Sequence, residues 1–261
     1  MGYISRQKDD IRKYRWGFFA RKVRKFRYID PVAGLLFTLT RKYYATEGCK
    51  FLIPKDLTSV IYRARFYYDL YEWEERRQVN EFVRADDSVI EIGACIGVLS
   101  CLTNKRLSKT PEAHVVIEPN PELIPYIEKN RELNDCSFYI EQCLVTDEKD
   151  PVFYTAKHIS RGSASQQTSN QVNVKPCRLA DLEDKYGKFN VLIMDIQGGE
   201  AELIELEKNT LAHFRLVIEE FHPGIIGIAG VERCRATLRE LGFHLKQEIG
   251  DVETWEKDAV N

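Results

Sequence analysis

No stretch of this sequence is long and apolar enough to cross a bilayer. The longest apolar run, around Pro31 to Leu39, falls well short of the ~20 residues that a spanning helix needs. The first residues are basic, yet no apolar core or small-residue cleavage site follows them, so they do not read as a secretory leader. No two cysteines stand at C-x-x-C spacing. The seven lie scattered at 49, 95, 101, 136, 143, 177 and 234, which excludes a zinc ribbon or a dithiol redox motif and fits reduced thiols in a cytoplasmic protein, most of them small core residues. A phosphate-cradling G-x-x-x-x-G-K-[ST] is missing, as are internal repeats and low-complexity tracts. Bulk positive charge is missing too: 38 Lys and Arg meet 40 Asp and Glu, for a net charge of -2. The chain as a whole is therefore not a polycation built for nucleic acid.

With 44% hydrophobic and 30% charged residues, the composition is that of a globular chain able to bury a core. Its 261 residues suit one domain with an appendage, or two small ones. The charge is unevenly placed. Residues 1–30 hold ten Lys or Arg against Asp9, Asp10 and Asp30, interleaved with Tyr3, Tyr14, Trp16, Phe18, Phe19, Phe26 and Tyr28. Such a mixture suits peripheral contact with an anionic membrane or another polyanion. The plainer reading, which charge runs of this kind favour, is a solvated helix that packs its aromatics on the domain or on a second subunit, making a homodimer.

Two regions separate by pattern. Residues 1–85 read as basic, aromatic and mainly helical, and the spacing from Tyr62 to Arg84 predicts one helix ended by Asp86-Asp87. Residues 86–261 alternate short apolar runs with helical stretches. Strands are predicted at 88–93, 114–118, 138–142, 191–195 and 215–221, and helices at 97–107, 121–133, 199–208 and 231–241. The tail, 243–248 and 252–256 about Gly250-Asp251, reads as a hairpin. This alternation predicts an α/β fold with a mostly parallel sheet and helices on both faces. An insertion spans about 143–190. Its polar middle, 160–171, lies between possible strands at 151–156 and 171–175. A loop of this length is either a substrate lid or a plain surface excursion.

The first strand of the alternation runs into Glu91-Ile92-Gly93-Ala94-Cys95-Ile96-Gly97 and then a helix. Glycine there lets the backbone approach a ligand, at the turn where doubly wound sheets hold nucleotides. The dinucleotide fingerprint fails, because Cys95 and Val98 stand where G-x-G-x-x-G needs glycine. What remains, an acid with Gly93 and Gly97, suits a nucleoside without a pyrophosphate. S-adenosylmethionine is one, and its cationic methionine end would be favoured by Glu91. Glu118 ends the next strand, where an acid binds ribose hydroxyls. The bland readings are a structural turn for the glycines and a solvated strand end for Glu118.

Tyr71-Glu72, IEIGACIG (90–97), VVIEPNP (115–121), KNRELN (129–134), VLIMDIQGGEAELI (191–204) and VIEEFHP (217–223) stand in this order. The set resembles the FkbM-like methyltransferases from about Tyr71 to Pro223. The resemblance implies a Rossmann-like class I methyltransferase sheet ending in an antiparallel hairpin. It implies S-adenosylmethionine as cofactor and O-methylation, often of a sugar hydroxyl on a glycan, glycolipid or natural product. The residues it points to for the cofactor are Glu91, Gly93, Ala94, Cys95, Gly97, Glu118, Pro119, Asn120, Gln142, Cys143 and Asp195. Glu91 stands where the family usually has Asp, Cys95 where it has Asn, and Gln197 where it has Glu. The last change removes a carboxylate.

Methyl transfer from a sulfonium is an in-line displacement, helped by alignment and by a base for the hydroxyl proton. Asp195 ends the fourth strand and His222 follows the fifth, both at the carboxyl edge of the sheet. The expected base is His222 or Asp195, with Glu200 and Glu220 orienting the acceptor. The bland alternatives are a packing histidine and a helix N-cap. A divalent ion on Asp195 and a neighbouring carboxylate is the less favoured variant. Two other functions compete. A nucleic-acid methyltransferase finds support only in the basic arm, and Asp195-Ile196-Gln197 is not the [DN]-P-P-[YF] of amino-directed enzymes. A non-catalytic scaffold would take Gln197 as a mark of lost chemistry.

Overall fold

The computed structural model describes residues 29–109, 111–155, 158–159 and 170–258. Most of the basic arm and most of the polar middle of the insertion therefore lie outside the described residues.

The centre is a seven-stranded sheet. Strands β3 (Val89–Ile92), β4 (His114–Ile117) and β10 (Val191–Met194) are buried at every residue, as expected of parallel strands covered on both faces. With β5 (Tyr139–Glu141), β11 (Leu216–Glu220), β12 (His244–Ile249) and β13 (Val252–Glu256), they run in the order β12-β13-β11-β10-β3-β4-β5. All pairings are parallel except those of β13, which lies antiparallel between β11 and β12. This is the class I methyltransferase layout, its tail hairpin docked into the sheet. The chain reverses direction across the sheet between β3 and β10, so a ligand crevice falls outside their carboxyl ends.

One face of the sheet, with Ile90, Val115, Leu192 and Val217, packs on α6 (Leu179–Tyr186), α7 (Glu200–Leu206), the short α8 (Lys208–Leu211) and α9 (Pro223–Glu240). The other face, with Val89, Val191 and Ile218, packs on α3 (Trp73–Phe82) and α4 (Val98–Asn104). The N-terminal elements share the domain core. Phe37 of α1 (Ile29–Thr40), Tyr44 of β1 (Tyr44–Thr46), Phe51 of β2 (Cys49–Phe51) and Phe66 of α2 (Val60–Tyr67) cluster with Ile96, Val116 and Ile127. Two asparagines of α5 (Ile124–Leu133) and its cap tie them in. Asn130 accepts from Leu52 N at 2.6 Å and donates to Ile96 O at 2.8 Å, while Asn134 accepts from Lys50 N at 2.8 Å.

Several elements differ from the sequence expectation. The single helix over 62–84 is two, because Asp69 (φ 57°) and Glu72 (φ 47°) take left-handed conformations and turn Tyr71 inward. The helix α9 begins eight residues before its expected start at 231, with a break at Gly227 (φ 70°). In the insertion, β7 (Val152–Thr155) and β8 (Asn170–Asn173) pair antiparallel. The insertion also holds β6 (Cys143–Val145), which pairs with β9 (Lys175–Cys177), and α6, for which no helix was expected. The expectation of seven free thiols is corrected: Cys143 and Cys177 are bonded as a disulfide, their Cα atoms 6.1 Å apart. Neighbouring strands bring them together, which sequence spacing does not reveal.

Gly93 is demanded by the protein itself. It has φ 92°, and a Cβ there would lie 1.9 Å from the carbonyl oxygen of Asp195. Gly93→Ala is expected to cost about 3–5 kcal/mol, because backbone must shift against backbone. Gly48→Ala, at φ 83° with nothing within 4 Å, is expected to cost about 1 kcal/mol. Urea unfolding of the two variants checks the contrast.

Candidate active site

The turn after β3 is held by backbone and by one carboxylate. Gly93 N and Ala94 N both donate to Ile117 O, at 2.9 and 3.3 Å. Cys95 sits at φ 53°, and Gly97, at φ 76°, caps α4. Glu118, 4% exposed, accepts from Cys95 N at 2.8 Å through one oxygen and from Asn120 N at 2.9 Å through the other. It thus binds the turns after β3 and β4 together. Burial pushes its carboxyl up to about 7, although both hydrogen bonds pull the other way. Pro119 and Asn120 are buried beside it, and Asn120 Oδ1 accepts from Glu122 N at 3.0 Å. Ala94 is a core residue.

The Tyr71-Glu72 pair closes over this turn. Tyr71 donates its hydroxyl to Cys95 Sγ at 3.4 Å, and Glu72 accepts from Leu99 N at 3.1 Å. A carboxylate at the start of α4 suits the positive end of the helix dipole. Burial, with Glu75 next in effect, drives the Glu72 carboxyl well above its usual range.

Two residues expected at the cofactor are placed elsewhere. Glu91 points under α4, 2% exposed, accepting from Ser100 Oγ at 2.6 Å and lying 3.5 Å from His114 Nε2. It alternates with Ile90 and Ile92 and so faces the opposite side of the sheet. Cys143 is 5% exposed, packed in the core and bonded to Cys177. Its neighbour Gln142 is exposed.

The second half of the site gathers where β10 and β11 end. His222, just after β11, bonds through Nδ1 to Glu200 Oε1 at 2.6 Å. Glu200 stands in the first turn of α7, its side chain 0% exposed, and also accepts from Gly198 N at 3.2 Å. Pairing to a carboxylate fixes the proton on Nδ1 in the neutral ring and leaves Nε2 to accept from the Gln197 amide. Nε2 is 2.7 Å from the Gln197 amide nitrogen, 3.7 Å from Asp195 Oδ1 and 4.0 Å from Glu220 Oε2. The four expected catalytic residues are therefore brought together, and Gln197 joins them in place of the family's carboxylate.

The charges crowd. Burial alone would lower His222, but Glu200, Asp195 and Glu220 outweigh it and hold the imidazolium up to about 9. Asp195 rises to about 7 through burial, then through Glu75. Glu220 rises to about 8 through burial and Asp195. Asp195 Oδ1 and Glu75 Oε2 are buried and accept from no N–H or hydroxyl, and the Glu220 carboxyl is the neighbour that interacts with both. Glu75, 7% exposed on α3, faces Glu220 and is raised to about 8, by burial first. Sequence reasoning missed it. The available signal was a polar residue in the apolar stripe shared with Val79 and Phe82.

The model of the methyltransferase FkbM domain matches residues 91–245, more than half of the chain. No curated protein matches significantly. Similar solved structures include precorrin-6y C5,15-methyltransferase from Geobacter metallireducens GS-15, with TM-score 0.47 and 10% identity over 79% of this chain and 94% of that one. The ribosomal protein L11 methylase from Lactobacillus delbrueckii subsp. bulgaricus is similar with TM-score 0.42 and 16% identity, over 70% and 76%. The precorrin 8w decarboxylase from Methanobacterium thermoautotrophicum is similar with TM-score 0.43 and 12% identity, over 70% and 88%.

The raised carboxyls set a pH dependence. Between the ordinary value of 4.5 and about 8, folded Glu75 keeps a proton that the unfolded chain has released. Unfolding then releases protons, so rising pH favours unfolding. Glu220 acts with the same sign, and so does His222 between 6.5 and about 9. Stability is expected to fall from pH 4.5 to 9, and Glu75→Gln to flatten that fall. Urea midpoints across the range check it; equal slopes for variant and parent would count against the assignment.

Proposed function

Because the chain belongs to the FkbM methyltransferase family, we propose that it is an O-methyltransferase that carries the methyl group of S-adenosylmethionine to a sugar hydroxyl of a glycan, glycolipid or natural product. The observation that carries the O-directed reading is the Glu200–His222 pair, whose Nε2, held by the Gln197 amide, faces Asp195 and Glu220 beside the motif turn. The residues present fit the cofactor. A cationic sulfonium suits a crevice edge lined by the buried Asp195 carboxyl, whose Oδ1 accepts no hydrogen bond, and Glu118 stands at the strand end where ribose hydroxyls are bound in nucleotide-binding sheets.

S-adenosylmethionine supplies an electrophilic methyl group. The chain's own residues do the rest. Gly93 brings the motif turn against the Asp195 backbone, so both halves of the site share one rigid frame. Asp195 and Glu220 offer acceptor oxygens to hydroxyl donors, the pairing a polyhydroxylated acceptor needs. With the cofactor bound, His222 Nε2 would exchange its Gln197 contact for the acceptor hydroxyl and take its proton as the O–C bond forms and the methyl–sulfur bond breaks, the thioether leaving as S-adenosylhomocysteine. Glu200 would stabilise the resulting imidazolium through Nδ1. Gln197 keeps the ring in place without adding charge.

A second reading is favoured by one observation. Single ligand atoms of Asp195, Glu220 and His222 all lie within 4.8 Å of one another. These three would hold a divalent ion, which would acidify the hydroxyl in place of a base. Full activity after treatment with a chelator would exclude it.

Thermal unfolding with S-adenosylhomocysteine is expected to show added stability of about 2.7 kcal/mol at a hundredfold excess over Kd, and none with NAD. His222→Ala is expected to keep that stabilisation and lose about 10²–10⁴ in kcat. In the parent enzyme kcat/KM is expected to climb with pH towards about 9, where His222 becomes neutral. Glu200→Gln should move the climb to lower pH. Unchanged turnover in His222→Ala would overturn the base assignment.

A further inference from the structure

The helix α1 is apolar on two sides. Ala33, Gly34 and Phe37 face inward. A Cβ on Gly34 would lie 1.7 Å from Val60 O, and the Phe37 ring lies 5.7 Å from that of Phe66. The opposite side carries Val32, Leu35, Leu36 and Leu39, which are 57%, 49%, 41% and 73% exposed. Their spacing of i, i+3, i+4 and i+7 makes a second full stripe, where a surface helix normally has one. The adjoining helix α2 adds Ile61, 59% exposed. A contiguous apolar face of this kind marks a surface that is covered in use.

What surrounds the face favours one cover. The 28 residues immediately before α1 hold ten Lys or Arg, two Asp and seven aromatics. Arg41 and Lys42, just beyond its other end, are exposed. An apolar helix face flanked by cations and aromatics suits the headgroup boundary of an anionic bilayer, with the apolar stripe at acyl depth and the cations at the phosphates. A second copy of this chain would bring the same excess of cations against itself. Among the described residues no helix is long and apolar enough to cross a membrane, so the contact would be peripheral.

We propose that the outer face of α1 and α2 docks on a membrane surface rich in anionic lipid. The inner side of α2 reaches the active site: the Tyr62 ring lies 6.3 Å from that of Tyr71, which bonds Cys95 of the motif turn. Docking would therefore set the crevice close to the bilayer. The proposal does not depend on the methyl acceptor.

The test is co-sedimentation of the full chain with vesicles of phosphatidylcholine, with and without phosphatidylglycerol. Binding is expected only to the anionic vesicles, and to weaken as salt rises. Leu35→Glu with Leu39→Glu is expected to lower the partition coefficient about tenfold, with unchanged Tm and native mass. Leu39→Asn, at the most exposed position, should give a smaller drop in the same direction. Equal binding of parent and variants would overturn the proposal, leaving the basic segment alone as the contact. So would binding to neither vesicle. A fall in native mass in the double variant would assign the face to a second copy, and a fall in Tm would assign it to cover by the chain itself; either result overturns the proposal.

Discussion

Buried negative charge is the constraint around which this site is organised. Glu72, Glu75, Asp195, Glu200 and Glu220 converge at the carboxyl edge, and Glu219 lies on the other side of β11 with both carboxyl oxygens unpartnered. Among the described residues His222 is the cation that touches this group most closely. A buried carboxylate without a partner is expensive, and in practice the group takes up a proton instead. That is the common cause of the raised acids at this edge, with Coulombic crowding second. It is also why a single imidazole, anchored by a fully buried Glu200, can be so basic while partly desolvated. Carboxyls kept in this state offer both donors and acceptors to a hydroxyl-rich guest, and a positively charged one can displace the protons they hold.

The sheet was largely legible in the sequence because its signal is local. Val89–Ile92, His114–Ile117 and Val191–Met194 are short apolar runs, and such runs report a strand covered on both faces. The carboxyl-edge residues followed from the alternation, since whatever ends a parallel strand falls at the crevice. Side-chain direction was less legible. Glu91 reads as a cofactor acid from its place in the motif, yet the two-residue period of the strand turns it under α4 towards Ser100. The Cys143–Cys177 pair and Glu75 depend on distant segments meeting, and no local pattern encodes that.

The glycines carry a related lesson. Gly93 and Gly97 suggest room for a ligand, and both have the positive φ that makes glycine useful in such turns. At Gly93 the space is filled by the Asp195 carbonyl, and at Gly97 by Ile127, 3.2 Å from where a Cβ would sit. Protein packing alone requires glycine at Gly93. The two readings are compatible, because a turn packed tightly on one side presents its other side in a fixed shape. Glu118 serves the same end by spending one lone pair of each oxygen on backbone N–H groups of two different turns.

Asn130 has a consequence for modularity. Its amide spans from Leu52, just past the β-hairpin that precedes the sheet, to Ile96 in the motif turn. The N-terminal elements are thus part of the scaffold that shapes the crevice. A shortened version starting near residue 85, or a chimera grafting this sheet onto another protein's leading segment, would leave that amide half-satisfied and expose Ile96, Val116 and Ile127 where Phe51 and Phe66 now cover them. The unit that can be transplanted is the sheet together with its preceding hairpin and helix pair, whatever a motif-based boundary suggests.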